Sequence, residues 1–372
     1  MILFKSLSFL AQNLLFALAG IIGIGFVIGI HELGHFLFCK LFNIRTPTFS
    51  IGFGPQLFKK KIGDTEFALS AIPLGGYVEI AGSAEMGQGE QKDAHAKDAH
   101  SFAVKPYYQK LLVLVGGILV NIIFAYFALI LLFMIGFPKT VPVIRTIQPE
   151  SAAAQYQLAP GDKILAIGGQ TVDNDLAKTL SLIAPLADKE TTILVERSGQ
   201  ELTLPLTMGS KKVGQQAVGS LGVTFEMVKT AGLPFFESIK EGIALTNTYI
   251  VSTINGFKNI FAKRDVSNIQ GPLSIISLIM EGISQSFGVF LLLLALISVN
   301  LAILNLIPLP ILDGGQILYY TIEAIIRRPI PTKIREYIHI GSWLFVLGLM
   351  IYLSAQDLYR MIKPLFSKLI GS

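Results

Sequence analysis

A single cysteine, Cys39, stands in the 372-residue chain. An intramolecular disulfide is therefore impossible, and a thiolate zinc cluster of the CxxC kind is excluded. Charge is scarce as well: 15% of residues are charged against 52% hydrophobic, whereas an ordinary soluble domain is about a quarter charged. The deficit sits in four uncharged windows, Ser6 to Ile30, Leu111 to Pro138, Gly282 to Leu312 and Tyr337 to Gln356. About 20 consecutive apolar residues cross the hydrocarbon core as a helix, so each window predicts a membrane span. Runs this long and charge-free argue against core helices of a large soluble protein. No basic stripe with interleaved aromatics is present, which removes nucleic acid as a partner.

The few charges that remain are informative by position. Lys40, Arg45, Lys59, Lys60 and Lys61 lie between spans one and two, and Arg327, Arg328, Lys333 and Arg335 between spans three and four. Short positive loops stay in the cytoplasm, so both loops are expected there and both termini outside. The segment between spans two and three also contains lysines, but long domains translocate largely regardless of charge. Lys5 and the apolar run after it have the outline of a signal peptide. The run is longer than a signal-peptide core and shows no small-residue cleavage site before His31, so it is expected to be a retained span.

Between the spans the pattern changes. Thr48, Ser50 and Gly52 alternate with Phe49, Ile51 and Phe53, a period of two that reads as strand until Gly54-Pro55 breaks the run. Thr65 to Ile72 then leads into Pro73, Gly75-Gly76 and Tyr77-Val78. Residues 47–81 thus predict an apolar hairpin or small sheet on the cytoplasmic side. Open sheet edges do not face lipid, so it should fold against the helices or line a cavity. The polar stretch 82–100 ends in a tandem repeat, Lys92-Asp93-Ala94-His95 and Lys97-Asp98-Ala99-His100. It reads as a mobile loop, with a histidine metal site as the alternative.

Residues 141–226 read as a compact soluble module. Its strands are Val141–Ile147, Lys163–Ile167, Thr192–Glu196 and Leu202–Leu206, and a helix through Leu176, Leu180 and Ile183 starts at Asp173 or Asn174. From Pro234 to Phe261 apolar residues recur at three, four and seven, an amphipathic helix that either packs on the module or lies on the outer membrane surface. The expected division is 1–140 with two spans and the hairpin, 141–226 as the module, 227–281 as a helical linker and 282–372 with two further spans.

The chemistry concentrates in His31-Glu32-Leu33-Gly34-His35, expected at the cytoplasmic end of the first span. Helix positions i and i+4 share a face, so both imidazoles can meet one metal ion, with Glu32 beside them to take the proton of a zinc-activated water. Chance is a poor explanation: the chain has five histidines and two are here. Ionisable groups in an apolar span are also costly unless paired or metal-bound. A third ligand is needed, and carboxylates, His95, His100, His339 and Cys39 are the candidates. Most acidic residues sit in loops, but Asp313 closes the uncharged third window in Asn305-Leu306-Ile307-Pro308-Leu309-Pro310-Ile311-Leu312-Asp313-Gly314-Gly315. Pro308 and Pro310 cannot continue a regular helix, so the span must unwind there, where backbone is tolerated only if buried or lining a wet cavity. Asp313 is either a metal ligand in that cavity or a cap on the helix that follows. Asn121, Asn300 and Asn305 are intramembrane amides for which helix–helix hydrogen bonding is the plain reading. For Asn305, next to the proline break, contact with substrate backbone is favoured; for Asn121, packing against the metal-bearing helix is at least as good an account. Cys39 reads as a packed residue.

An HExxH near the end of one span, with Asn-x-x-Pro-x-Pro-x-Leu-Asp-Gly in a later one, resembles the site-2 protease family, and within it the bacterial regulator-of-sigma-E protease branch. The likeness extends through Gly52-Phe53-Gly54, Ile72-Pro73-Leu74-Gly75-Gly76-Tyr77-Val78, Gly116 to Asn121 and Ser267 to Ile275. It implies a polytopic α-helical membrane protein of about four transmembrane helices in a bacterial inner membrane, with a membrane-associated β-hairpin and an inserted PDZ-like α/β domain. It further implies Zn2+ held by His31, His35 and Asp313, Glu32 as catalytic base, and Asn305, Pro308 and Pro310 as substrate-positioning residues. The hairpin would hold an unwound substrate by strand addition. The PDZ likeness rests on Pro149-Glu150-Ser151-Ala152 and Leu158-Ala159-Pro160-Gly161-Asp162-Lys163-Ile164, and implies capture of peptide termini. The best-known members of the branch carry two such domains; this chain has room for one. The implied partners are single-span membrane substrates, of anti-sigma-factor type or remnant signal peptides, and the lipid bilayer. A non-catalytic scaffold with a structural metal site, or a metal transporter, are the competing readings. The first lacks a fourth protein ligand, the second a path of intramembrane ligands.

Overall fold

The computed structural model describes residues 2–83, 91, 93–213, 216–263, 269 and 271–370. Lys92 of the tandem repeat, and Ser267, Asn268 and Gln270 of the Ser267 to Ile275 stretch, lie outside the described residues. The chain divides into two compact units, one of residues 1–135 with 233–372 and one of residues 136–232.

In the first unit, helix α1 (Ile2–Leu41) is followed by strands β1 (Thr48–Ile62) and β2 (Thr65–Val78) and helix α2 (Tyr107–Ile135). Four stretches of helix among the described residues are long and apolar enough to cross a membrane: Leu14–Leu41, Tyr107–Ile135, Phe287–Asn305 and Lys333–Arg360. Two window boundaries need correction. The first uncharged window ends at Ile30, yet α1 runs on to Leu41, so His31 and His35 lie on a helix, as their spacing was read. Counting uncharged residues stops at the first ionisable one, even where that residue is buried. The third window holds one span, as expected, but it starts later than Gly282. α6 (Pro272–Gln285) and α7 (Phe287–Asn305) are separated at Ser286, whose extended backbone lets its hydroxyl accept from Val289 N–H and cap α7. At about 1.5 Å per residue, the 19 residues of α7 reach about 28 Å, close to the thickness of a hydrocarbon core.

α1 and α2 approach closely because glycines face each other. A β-carbon on Gly116 would stand 2.8 Å from the Gly34 carbonyl oxygen and 2.6 Å from Phe38 Cδ2. Small residues at such crossings let backbones touch. The hairpin turns at Gly63-Asp64, where Ile62 pairs with Thr65. Gly54-Pro55 does not end β1 but shifts its register. Residues 48–51 pair with both 66–69 and 76–78, and residues 58–62 pair with 65–69. The sheet lies on α1: a β-carbon on Gly76 would come 3.4 Å from Glu32 Cγ, and one on Gly29 3.7 Å from Ile51 Cγ1.

The stretch 93–100 is not a loose loop. Arg45 Nε donates to Asp93 at 3.0 Å and its Nη2 to Asp98 at 2.9 Å, so the two repeats place their aspartates on one guanidinium. His95 and His100 stay exposed. Helix α5 (Phe235–Lys263) was expected on the module or on the membrane surface, but it packs on membrane helices. Gly242 sits against Ile130 of α2, the Tyr126 hydroxyl donates to Asn247 at 2.5 Å, and the Thr253 hydroxyl donates to Asn300 of α7 at 3.0 Å. Asn300 is thus a helix–helix bonding residue, as its plain reading had it. α8 (Asp313–Ile326) and α9 (Thr332–Ile370) complete the unit. Asp357 of α9 accepts from Gly271 N–H, Ser274 N–H and the Ser274 hydroxyl, capping α6 from another helix.

The second unit is a sheet in the order β10-β3-β4-β6-β7, with β5 on β4, plus the hairpin β8-β9. The strands are β3 (Pro138–Ile147), β4 (Lys163–Ile167), β5 (Gln170–Thr171), β6 (Glu190–Arg197), β7 (Gln200–Thr207), β8 (Gly209–Val213), β9 (Gln216–Ser220) and β10 (Val223–Lys229). Two helices, α3 (Ala152–Gln155) and α4 (Leu176–Ile183), accompany them. Its core gathers Ile144, Ile164, Ile167, Val172, Ile183, Ile193, Val195 and Leu206. β10 pairs with β3 through Lys229, so the sheet runs past residue 226. The cap of α4 is Asp175, whose carboxylate accepts from Ala177 and Lys178 N–H, not Asp173 or Asn174. Those two have φ of 49° and 54°, left-handed values unlike the extended backbone an N-cap needs.

Asp162 pins the Pro160-Gly161 turn. It is fully buried, accepts from Ala159 N–H at 2.8 Å and takes Arg197 in both oxygens at 2.6 and 2.7 Å. Burial pushes its carboxyl up, but the Arg197 and Ala159 hydrogen bonds outweigh that and hold it below the usual range. A depressed folded-state value means stability that is complete above about pH 4, the unfolded range, and is lost as the pH falls through the lower folded value. Asp162→Asn is expected to cost about 2 kcal/mol, because charge-assisted bonds are lost while Arg197 keeps partial solvent access. In hydrogen exchange of the whole chain, protection of the Lys163–Ile167 amides should fall about thirtyfold, and unchanged protection refutes the role.

Candidate metal centre

Four helices bring polar groups to one buried point. α1 supplies His31 and His35, 6% and 7% exposed, α2 supplies Asn121 and a backbone carbonyl, α7 supplies Asn305, and α8 supplies Asp313 from its first turn. The segment between α7 and α8 is what allows the last of these. Residues 306–312 are not helical, as Pro308 and Pro310 require, and they fold back over the start of α8. Gly314 lies against the carbonyls of Leu306 and Ile307, and Gly315 against Leu309 and Pro310. Any side chain there would lift the turn away.

The distances are short. His31 Nε2 and His35 Nε2 are 3.1 Å apart, His31 Nε2 is 3.1 Å from Asp313 Oδ2, and His35 Nε2 is 3.5 Å from Asp313 Oδ1. One ligand atom from each of the three lies within 4.8 Å of the others, and among the described residues this is the one such group of histidines, cysteines and carboxylates. Cys39 is buried in a cluster with Ile44, Phe49 and Phe102. His95, His100 and His339 are outside the group.

Hydrogen bonding alone does not account for the arrangement. His35 Nδ1 lies 2.8 Å from the Val113 carbonyl oxygen, which can only accept, so Nδ1 carries a proton and the neutral ring offers Nε2 to a metal. Asp313 Oδ2 forms no hydrogen bond despite its 3.1 Å approach to His31; the contact is close but not aligned. Two imidazole nitrogens and a buried carboxylate oxygen without an aligned hydrogen bond converge there, an arrangement that is costly in a dry site unless an ion or a proton fills it. The set fits zinc. Ligand atoms at about 2.0–2.1 Å around a tetrahedral ion lie about 3.3 Å from one another, close to the 3.1 Å of both the His31 Nε2 to His35 Nε2 and the His31 Nε2 to Asp313 Oδ2 separations.

The surroundings orient these groups. Gly117 forms the floor: a β-carbon there would stand 2.6 Å from both His31 Cε1 and His35 Nε2. Asn121, fully buried, has its Nδ2 3.4 Å from His31 Nδ1 while its Oδ1 has no partner. Turning the amide over, a change of like-sized groups, satisfies the oxygen and holds His31 with its proton on Nδ1. Asn305 Nδ2 lies 3.2 Å from His31 Nε2, facing the same point as the ligand atoms. Glu32 is half-buried beside the hairpin. The Val113 carbonyl and Gly117 were not foreseen as site groups. The Gly116 to Asn121 stretch signalled helix packing only.

Comparisons with known proteins show what the chain is similar to. The profile of peptidase family M50 matches residues 19–349. A candidate zinc metalloprotease of Campylobacter jejuni is 35% identical over 360 residues, covering 93% of this chain and 94% of its own. One of Fusobacterium nucleatum is 31% identical, covering 92% and 98%. The regulator of sigma E protease of Salmonella typhi is 30% identical over 439 aligned positions, covering 88% of this chain and 95% of its own.

Proposed function

The chain belongs to peptidase family M50, the site-2 zinc metalloproteases, and from that premise we propose that it cuts single-span membrane proteins in or at the edge of the bilayer, with His31, His35 and Asp313 holding the zinc and Glu32 as general base. The observation that carries the reading is the convergence of the α1 imidazole pair with the α8 carboxylate within 4.8 Å. Zinc, when bound, polarises a scissile carbonyl and lowers the pKa of water toward neutrality. The chain's own groups do the rest. Asp313 offsets part of the metal's charge, and the Val113 carbonyl fixes the His35 tautomer. Glu32, one residue from His31, accepts the proton of the attacking water and returns it to the leaving amide nitrogen.

A helical peptide hides its carbonyls in i to i−4 bonds, so the substrate must be extended to react. The hairpin lies beside Glu32, which suits strand addition, and in this reading Asn305, next to a segment that Pro308 and Pro310 keep from winding, holds substrate backbone. In this proposal the second unit is a PDZ-like domain outside the membrane that captures peptide termini. Its sheet ends in β7 and β10, and the Salmonella alignment, longer than this chain, suits a single such domain. The charge pattern supports a bacterial inner-membrane protein with both termini outside and the centre near the cytoplasmic face. A structural metal site in a scaffold is disfavoured, because among the described residues three protein ligands converge and not four.

The test compares membrane fractions of wild-type cells with those of cells carrying Glu32→Gln. Single-span proteins or signal-peptide remnants should accumulate uncut in the variant. Identical fractions would overturn the assignment.

A further inference from the structure

The outer strand of the hairpin carries a lysine run that the zinc chemistry does not use. Residues 58–62 of β1 pair with 65–69 of β2, and these pair on their other side with 48–51. Among the described residues no strand covers the free side of 58–62, and every residue from Gln56 to Ile62 is exposed.

Contacts at both ends fix the level of this strand along α1. A β-carbon on Gly25 would stand 2.5 Å from the Pro73 carbonyl oxygen. The Phe67 and Phe36 rings meet edge-on at 5.6 Å, and Lys40 Nζ donates to the Thr65 hydroxyl at 2.9 Å. The hairpin thus follows α1 from Gly25 to Lys40, about 22 Å, within the stretch Leu14–Leu41 that is long and apolar enough to cross a membrane. Lys60 pairs with Phe67 and Ile62 with Thr65, so the lysines come level with Phe36 to Lys40, the end of that span.

Along the outer strand the side chains are sorted by depth. Leu57 and Phe58 come first from the interior, 69% and 72% exposed. Lys59, Lys60 and Lys61 follow, the last about 10 Å beyond Phe58 at the rise of a strand. Asp64 lies past them, in the turn on the aqueous side. Lys59 has Glu66 at 3.6 Å, and among the described residues no ion pair includes Lys60 or Lys61. Lysines on a free edge also keep strands from pairing in water. That role requires neither large apolar side chains directly below them nor the end of a membrane helix alongside.

We propose that Lys59, Lys60 and Lys61 bind the phosphate groups of anionic phospholipids in the cytoplasmic leaflet, with Leu57 and Phe58 among the acyl chains beneath. Lysines beside a membrane concentrate anionic lipid at its surface, and their long stems reach the headgroups while lying on apolar surroundings. The apolar and cationic residues are consecutive in one strand, so one bilayer surface meets both. The lipid steadies a sheet whose opposite edge, at Gly76, adjoins Glu32. Such binding requires a membrane-spanning chain and is independent of peptide hydrolysis.

Trp343 is the only tryptophan in the chain, so Phe58→Trp in a Trp343→Phe background puts a single reporter on the outer strand. The whole protein, with its zinc, is reconstituted in phosphatidylcholine vesicles containing a low fraction of brominated-chain lipid, either phosphatidylglycerol or phosphatidylcholine. Brominated phosphatidylglycerol should quench the reporter about fivefold more per mole, the enrichment expected of one lysine at a membrane surface. Lys60→Gln together with Lys61→Gln should remove most of that excess. Arg328→Gln, in an exposed residue between α8 and α9, should keep it. Equal quenching by the two lipids overturns the proposal without recourse to a lysine variant, and so does an excess that survives loss of both lysines. A loss in Arg328→Gln as large as in the lysine variant would make the effect one of diffuse charge and overturn it too. Quenching by aqueous iodide and by neither lipid would put the strand outside the bilayer, facing a soluble partner, and the lipid assignment fails.

Discussion

Glu32→Gln is expected to slow cleavage of a single-span substrate about 10²- to 10⁴-fold, the usual contribution of a positioned base, while the purified protein keeps its zinc. The amide has nearly the size and shape of the carboxylate, so packing beside the hairpin near Gly76 should persist. What changes is the ability to accept a proton. The group that could hold the metal is His31, His35 and Asp313 without Glu32, which is why activity and metal content should separate. Turnover of a purified substrate in detergent, with zinc counted by elemental analysis of the same sample, checks both. Zinc lost together with activity would make Glu32 a ligand or a structural residue, and unimpaired cleavage would remove it from the mechanism.

The separation of what the sequence discloses from what it hides follows the side chains. His31, Glu32 and His35 are legible because their spacing is a statement about one helix face. Asp313 is legible because it is an ionisable group ending an uncharged window, and the two prolines before it announce unwound backbone. The partners that orient these groups leave weaker traces. The Val113 carbonyl is backbone and has no residue signature at all, and Gly117 reads like any glycine at a helix crossing until the imidazoles are seen resting on it. The same limit applies to the fold. Uncharged windows locate the membrane helices but not Ser286, whose break depends on a backbone angle and a hydroxyl cap. The periodicity of α5 gives its apolar face and not the partner, which proved to be α2 and α7. In the second unit, Asp173, Asn174 and Asp175 all suit an N-cap by composition. The left-handed backbone of the first two, which form the turn before the helix, decides for the third.

Gly117 leads to the other large effect. Gly117→Ala should lower zinc affinity about 10- to 100-fold, the range found when groups orienting a metal ligand are altered, and cleavage should fall at least in proportion. The added methyl would stand 2.6 Å from His31 Cε1 and from His35 Nε2, closer than carbon atoms approach without something moving. The imidazoles are the parts free to move, and swinging either away from Asp313 widens separations that are now 3.1 Å from His31 Nε2 to Oδ2 and 3.5 Å from His35 Nε2 to Oδ1. Gly116→Ala provides the contrast on the same helix. Its methyl would meet Phe38 and the Gly34 carbonyl, which strains the crossing of α1 and α2 without touching an imidazole. The neighbour should therefore lower thermal stability while holding zinc more tightly than Gly117→Ala does. Zinc titration against a competing chelator, paired with thermal unfolding of both variants, separates the two outcomes. Native zinc affinity in Gly117→Ala would mean that the imidazoles are not held where this structure has them.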